Sequence, residues 1–444
     1  MTSRRLSAAF FVALALSACG GRSSPPPKPD PAWAPDVAAR MHSLASISIA
    51  ATDDSDLAFL DEVLAGRTIV ELGEDGHGMG EFSRAKVRLV KYLHERLGFD
   101  VLVFESSILS TYLANRDAGQ AQVAASDLVE EGIPTIWHTE DLVDLLAYVK
   151  STRSTARPLV IAGMDMSFTG EVEATQRPAI FREVVAHIDP AYASEVEAMD
   201  TALAQSRWGS WRTGGQVSQE QSTWLWNHHD EVRRFYQELS DFLGAHMAEL
   251  EAAYASEPLL PRVVQQAAFL TTIYSYYNPE FGPHRDAAMA DTFELIANEL
   301  YPGEKYLVWA ADAHLYKAGV RITGPRPSNL GPNDTGQLIF ERHGAAVYMI
   351  SLLMYRGSIV LADRSPWRVE PAPDWSIEGL FHVAGASVAF LDIAGARPAP
   401  ERAWMDQEFV LREWGVNEIH LVPREQMDGV LFFDTINPPV FIDP

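Results

Sequence analysis

The sequence predicts an α/β fold, with a central, largely parallel sheet flanked by helices and a mostly helical insertion forming one side of a cleft. Three observations point to it. Short apolar, β-branched runs alternate with a segment of helical period between residues 68 and 104, the joins between them are short, and a block from roughly 178 to 300 carries long helical patterns. A strand–helix–strand succession whose crossover is a helix implies parallel strands.

The first strand is expected in Arg67-Thr68-Ile69-Val70-Glu71-Leu72, which breaks into Gly73-Glu74-Asp75-Gly76-His77-Gly78, a glycine-rich turn. From Glu81 to Leu97, Phe82, Leu89, Leu93 and Leu97 recur at helical spacing with Arg84, Arg88 and Lys91 between them, and Gly98 ends the segment. Phe99 to Glu105 is a second strand. A helix over Asp141–Arg153 leads to a third strand, Pro158–Ala162, running into Gly163-Met164-Asp165, and Lys305–Ala310 is a fourth, ending near His314. In the helical block, one pattern opens at the capping box Ser218-Gln219-Glu220-Gln221 and another spans Arg285–Leu300. Apolar runs at 346–351, 387–391 and 429–433 extend or flank the sheet.

Composition narrows the function. The 444 residues are 47% hydrophobic and 21% charged, enough for a large core and incompatible with a disordered chain. Acidic residues outnumber basic ones 60 to 35, giving a net charge of −25, so no nucleic-acid partner is expected. With one cysteine, no internal disulfide, cysteine-based metal site or iron–sulfur cluster can form.

That cysteine, Cys19, closes the amino-terminal segment. Arg4 and Arg5 precede an apolar run from Ala8 to Leu16 that is too short for a permanent span, and Leu16-Ser17-Ala18-Cys19 resembles a bacterial lipobox. Residues 1–18 are therefore expected to be a lipoprotein signal peptide and Cys19 the lipidation site. Residues 19–35, with six prolines, are expected to be an extended tether, leaving residues 36–444 as one folded unit. The expected location is the bacterial cell envelope, anchored to the membrane through lipid. The residue after Cys19 is not aspartate, which points to the outer membrane.

In a parallel sheet, ligands bind beyond the carboxyl ends of the strands. Four loops there carry ionisable residues: Glu74 and His77, then Glu105, then Asp165, then Asp312 and His314. His77, between two glycines, can approach a ligand closely and take a proton from water. A carboxylate on its other nitrogen would fix the tautomer, and Glu74 and Glu105 are the candidates. The residues leave other readings open: His77 as a turn histidine bonded to backbone, and Glu105 as an acid paired with a core arginine. No Gly-x-Ser-x-Gly elbow occurs, so water is the expected nucleophile. No His-Glu-x-x-His motif occurs, and His228-His229-Asp230 lies in a helical pattern that points neighbours apart, so no metal or cofactor is assigned. Trp208, Trp211, Trp224, Trp226, Tyr274, Tyr276 and Tyr277 could line an apolar cleft or pack the helices.

The motif Leu72-Gly73-Glu74-Asp75-Gly76-His77-Gly78, followed by Glu81-Phe82 and Arg84, resembles the erythromycin esterase family. The resemblance continues through Phe104-Glu105, Trp137-His138-Thr139-Glu140, Gly163-Met164-Asp165, Arg285-Asp286 and Trp309-Ala310-Ala311-Asp312-Ala313-His314. It implies that residues 36–444 are one domain of that kind, hydrolysing a small-molecule ester or macrolactone. It also implies His77 as general base, Glu74 and Glu105 as its supports, and His314 as a further polar group. Arg84, Asp165 and Arg285 are expected to bind substrate. The chain departs from the family pattern at Ala311, where a histidine is usual, and at Asp312, where asparagine is usual. Asp312 is expected to add negative charge where an oxyanion would develop. The other class left open is a haem- or ligand-binding envelope lipoprotein without hydrolytic activity, with His77 as a haem ligand. A catalytically decayed member is a third.

Overall fold

The computed structural model describes residues 30–166, 175–212, 219–274, 281–325, 333–361 and 364–442. Cys19 and the signal segment lie outside these, as do Ser218 of the expected capping box, Tyr276, Tyr277 and the side chains of Trp208, Trp211, Trp226 and Tyr274.

Eleven strands occur among the described residues: β1 (His42–Ser43), β2 (Ile69–Leu72), β3 (Val101–Ser107), β4 (Val160–Asp165), β5 (Tyr306–Trp309), β6 (Val347–Val360), β7 (Pro366–Val369), β8 (Val388–Asp392), β9 (Phe409–Glu413), β10 (Asn417–Leu421) and β11 (Gly429–Ile436). Nine form one sheet in the order β1-β8-β11-β6-β2-β5-β3-β4, with β7 on the far half of β6, and β9 and β10 form a separate hairpin. From β11 to β4 every pairing is parallel; β8, β1 and β7 join antiparallel. The largely parallel sheet is thus present, and the run at 346–351 becomes β6, an inner strand rather than an extension.

The inner strands are buried on both faces, as helical crossovers require. Successive residues divide between two apolar cores: Ile69, Val103, Val308 and Met349 face one helical layer, and Val70, Leu102, Leu307 and Ile350 the other. The helix Gly80–Tyr92 lies on the second face, burying Phe82, Ala85 and Leu89; it runs into a single π turn over Leu93–Leu97 and stops at Gly98, which takes φ 77°. The helical block covers the other face with Arg177–Ala186, Pro190–Arg212, Gln219–Ala245, Met247–Ala253, Leu260–Tyr274 and Phe281–Leu295.

Several boundaries differ from the sequence expectation. Within the segment expected to be a tether, residues 33–35 already belong to a helix that begins at Trp33: Trp33 and Ala34 are buried, and Pro35 sits in the first turn, where its missing N–H costs nothing. The helix carrying Arg285 begins earlier, at Phe281. β3 and β4 run on to Ser107 and Asp165, because Gly163 is a packing glycine within β4 and not the start of a turn. The β3–β4 register shifts between Phe104 and Ser107, and a Cβ on Gly163 would lie 2.4 Å from the carbonyl oxygens of Ser106 and Ser107. Gly163→Ala is therefore expected to cost about 1–3 kcal/mol in a denaturant unfolding titration, as overpacking does. A wild-type midpoint would show that the bulge moves freely.

Candidate active site

The β2 strand delivers its carboxyl end into a loop whose backbone is held by its neighbours: Gly73 N–H donates to Ile350 O (2.8 Å) and Asp75 N–H to Leu352 O (3.1 Å). Gly78 takes φ 82°, and a Cβ there would lie 2.2 Å from Val360 O, so the loop closes only around glycine. Within it, Glu74 turns inward and is 2% exposed, whereas the His77 side chain keeps 20% of its surface.

Three donors converge on Glu74. His77 Nδ1–H donates to Oε1 at 2.6 Å, Trp137 Nε1–H to the same oxygen at 3.0 Å, and Lys86 Nζ to Oε2 at 2.8 Å. Burial alone would raise the Glu74 carboxyl, but Lys86 and His77 outweigh it and hold it below its usual range. Lys86 is fully buried and lies 4.8 Å above the Trp309 ring; burial lowers its ammonium, with Glu74 opposing. With Nδ1 committed, His77 Nε2 has no hydrogen-bond partner among the described residues. The ring is flanked by Trp137, at 5.0 Å and 85°, and Trp414, at 5.3 Å and 90°.

A second group is built on Arg285, from the helical block. Its Nε and Nη2 grip Asp165 at 3.1 and 2.8 Å, and Nη2 also donates to Glu105 at 2.8 Å. Glu105 accepts the Ala311 N–H at 3.0 Å and lies 3.3 Å from His314 Nε2. His314 Nδ1–H donates to Asp286 at 2.7 Å, and Asp286 is held in turn by Thr335 through Oγ1 at 2.9 Å and N–H at 3.3 Å. Burial opposes the charge on His314, yet Asp286 and Glu105 push it up to about 10, so it stands as an imidazolium. Arg285 Nη1 lies 3.1 Å from Nε2, a contact between donors that the shared carboxylates tolerate. Against its own burial, Glu105 is held well below the usual range by His314, Arg285 and His77. Asp312 N–H donates to Glu74 O at 2.8 Å, and Lys86 Nζ reaches Ala310 O at 3.4 Å, which sets the two groups side by side.

The sequence-derived residues thus separate. Glu74 contacts His77 directly. Glu105 bonds Arg285 and Ala311 rather than His77, and it is the acid paired with a core arginine. Asp165 and Arg285 bind each other and are almost wholly buried. His314 is enclosed at 3% exposure and already protonated, which leaves His77 as the imidazole able to accept a proton. Arg84 points elsewhere: it pairs with Asp141 at 3.3 Å and is 38% exposed. On the same helix, Lys86 was missed. Its position falls in the apolar stripe between Phe82 and Leu89, and a lysine on a buried stripe is the signal that could have found it. Asp286 and Trp137, each within a resembling segment, were also left without a role.

Asp312 corrects an expectation. It is fully buried beneath Gly73, with Oδ1 unpartnered among the described residues and Oδ2 accepting from Ser351 Oγ. Burial pushes its carboxyl well above the usual range, which works against the negative charge expected there. Asp75, equally buried, is raised above the usual range chiefly by burial. His228 stacks on Trp224 at 4.9 Å and the His229 side chain is 38% exposed. Among the described residues no group of histidine, cysteine and acidic side chains could hold a metal ion.

With the fold and site in place, comparison decides the family: the family description "Erythromycin esterase" matches residues 94–436. The chain belongs to the erythromycin esterase family. The matched span begins after the His77 loop, but similarity to one relative extends over most of the chain. The Bacillus subtilis (strain 168) protein named "Putative hydrolase YbfO" is 31% identical over 415 residues, 88% of this chain and 88% of that one. Erythromycin esterase type I of Escherichia coli is 27% identical over 180 residues, 37% of this chain and 42% of its own. A solved erythromycin esterase structure, a mutant of EreC in its open conformation, superposes with TM-score 0.65 at 15% identity, covering 90% of this chain and 98% of that chain. Family and relatives mark this member as a hydrolase.

A stability test follows from Asp312. An acid whose folded pKa is raised contributes stability below its unfolded pKa, and that contribution is lost as pH climbs toward the folded value. Asp312→Asn keeps an acceptor for Ser351 and removes the titration. It is expected to raise stability by about 1–3 kcal/mol at pH 8, with little change near pH 4. Melts at the two pH values that shift equally would show that Asp312 is ionised in the folded protein.

Proposed function

We propose that this member hydrolyses a small-molecule carboxylic ester or lactone, with His77 as the base that deprotonates the attacking water. One observation carries the reading: the partly exposed imidazole commits Nδ1–H to a buried, ionised Glu74 and leaves Nε2 unpartnered. In that tautomer Nε2 is the basic nitrogen, and Glu74 stabilises the imidazolium formed when it takes a proton from water. Water attacks the ester carbonyl, the tetrahedral oxyanion develops, and His77 returns the proton to the departing alkoxide. The Lys86 ammonium keeps Glu74 ionised. The Escherichia coli relative is named for erythromycin, and a macrolactone is one candidate substrate.

A panel of aryl esters, alkyl esters and macrolactones assayed with wild type and His77→Ala tests this. Loss of the base should lower kcat/KM about 100- to 10,000-fold on whichever substrate is turned over. Equal rates in both, or a haemin Soret shift that His77→Ala abolishes in a protein without esterase activity, would overturn it.

We further propose that the chain works at a bacterial envelope, tethered through Cys19. The support is the sequence Leu16-Ser17-Ala18-Cys19 and the proline-rich stretch after it. In cells fed a labelled fatty acid, wild type should carry the label in the membrane fraction and Cys19→Ser should lack it. Label in both would exclude Cys19 as the acceptor.

A further inference from the structure

Trp414 occupies a position that folding disfavours. It opens the turn between β9 and β10, where Val416 N–H donates to Glu413 O at 3.1 Å and the two central residues, Trp414 and Gly415, take φ 56° and 68°. Such a turn favours Asn-Gly or Gly-Gly, since a bulky side chain in the left-handed region is strained. Among the described residues only Arg364 shares that feature without being glycine. Strain held in place at a functional loop is informative when the surrounding contacts show what it secures.

Those contacts lead to His77. Trp414 N–H donates to Asp75 O at 2.9 Å, tying the hairpin to the loop two residues before His77. The indole stands at right angles to the imidazole with ring centres 5.3 Å apart, and Trp137 does so at 5.0 Å. The intervening residue has to be glycine for this approach, because a Cβ on Gly76 would lie 2.7 Å from Trp414 Cδ2. Glu74 fastens one nitrogen of the ring but does not prevent the ring from tilting about that bond; two indoles at right angles to its plane do.

We propose that Trp414 is a positioning residue: the left-handed turn presses its indole against His77 so that the ring, clasped between Trp414 and Trp137 and bonded to Glu74, keeps Nε2 turned away from Glu74 toward the attacking water. This rests on His77 being the base. It makes the separate β9–β10 hairpin part of the reaction machinery, although the hairpin supplies no group that reacts.

Trp414→Gly suits the backbone and removes the indole; Trp414→Asn does the same if the glycine variant fails to fold, and Trp414→Phe keeps an aromatic wall. In the full chain, Trp414→Gly should melt at or near the wild-type temperature. Its kcat should fall at least about tenfold with KM little changed, as for a displaced catalytic group, and Trp414→Phe should recover most of the loss. Independently of any substrate, the His77 ring resonances, assigned by their absence in His77→Ala, should broaden or shift in Trp414→Gly and return in Trp414→Phe. Wild-type kcat with unchanged resonances overturns the proposal, as does a change confined to KM, which would make Trp414 a substrate contact. If His77→Ala retains full activity, the base assignment fails, and the ring resonances still report whether Trp414 holds the imidazole.

Discussion

The carboxylate of Glu74 has to remain charged inside the protein, and much of the architecture around the sheet edge answers that demand. An isolated carboxylate in an apolar interior would take up a proton, because the cost of burying its charge far exceeds that of neutralising it. Lys86, His77 and Trp137 each supply a hydrogen bond, and each comes from a different piece of chain: the helix Gly80–Tyr92, the loop after β2 and the turn Thr135–Trp137. Meeting the electrostatic requirement therefore locks three segments together and leaves the imidazole of His77 with one defined tautomer.

The same physics sorts the other buried acids of this esterase-family protein into two kinds. Glu74 and Glu105 have cations in contact and are held below the usual carboxylate range despite complete burial. Glu71, Asp75 and Asp312 are just as buried, have no cation within hydrogen-bonding reach among the described residues, and are pushed well above it. Carboxyls shifted in opposite directions thus stand side by side in one loop, with Asp75 following Glu74 directly. Depth does not decide their state; the neighbour does.

Arg285 shows how the helical block joins the sheet. Its guanidinium binds Glu105 from β3 and Asp165 from β4, whose ends lie side by side because the strands are parallel neighbours. His314, beyond β5, closes the group from the other side of β3. Glu105, Asp165 and Asp286 outnumber the arginine and the imidazolium they contact, so the buried guanidinium is fully compensated, which is why it is tolerated there at all.

The alternation of strand and helix, the parallel sheet and the gathering of His77, Glu74, Glu105, Asp165 and His314 at one edge were legible in the sequence, because hydrophobic period and strand-end position are local properties. The resemblance motifs likewise singled out Asp286 and Trp137 without saying what they touch. Choosing Lys86 over Arg84 required knowing which face of one helix meets the loop. Assigning Glu105 to Arg285, 180 residues away, required the tertiary fold. So did the charge state of Asp312, since an aspartate looks the same in a sequence whether it faces water or the underside of Gly73. Trp414 was beyond reach for the same reason: its hairpin belongs to a separate sheet, and only packing brings it to His77. Sequence determined which chemical groups stand at the edge; through-space contact decided which are charged, which are paired and which is free to react.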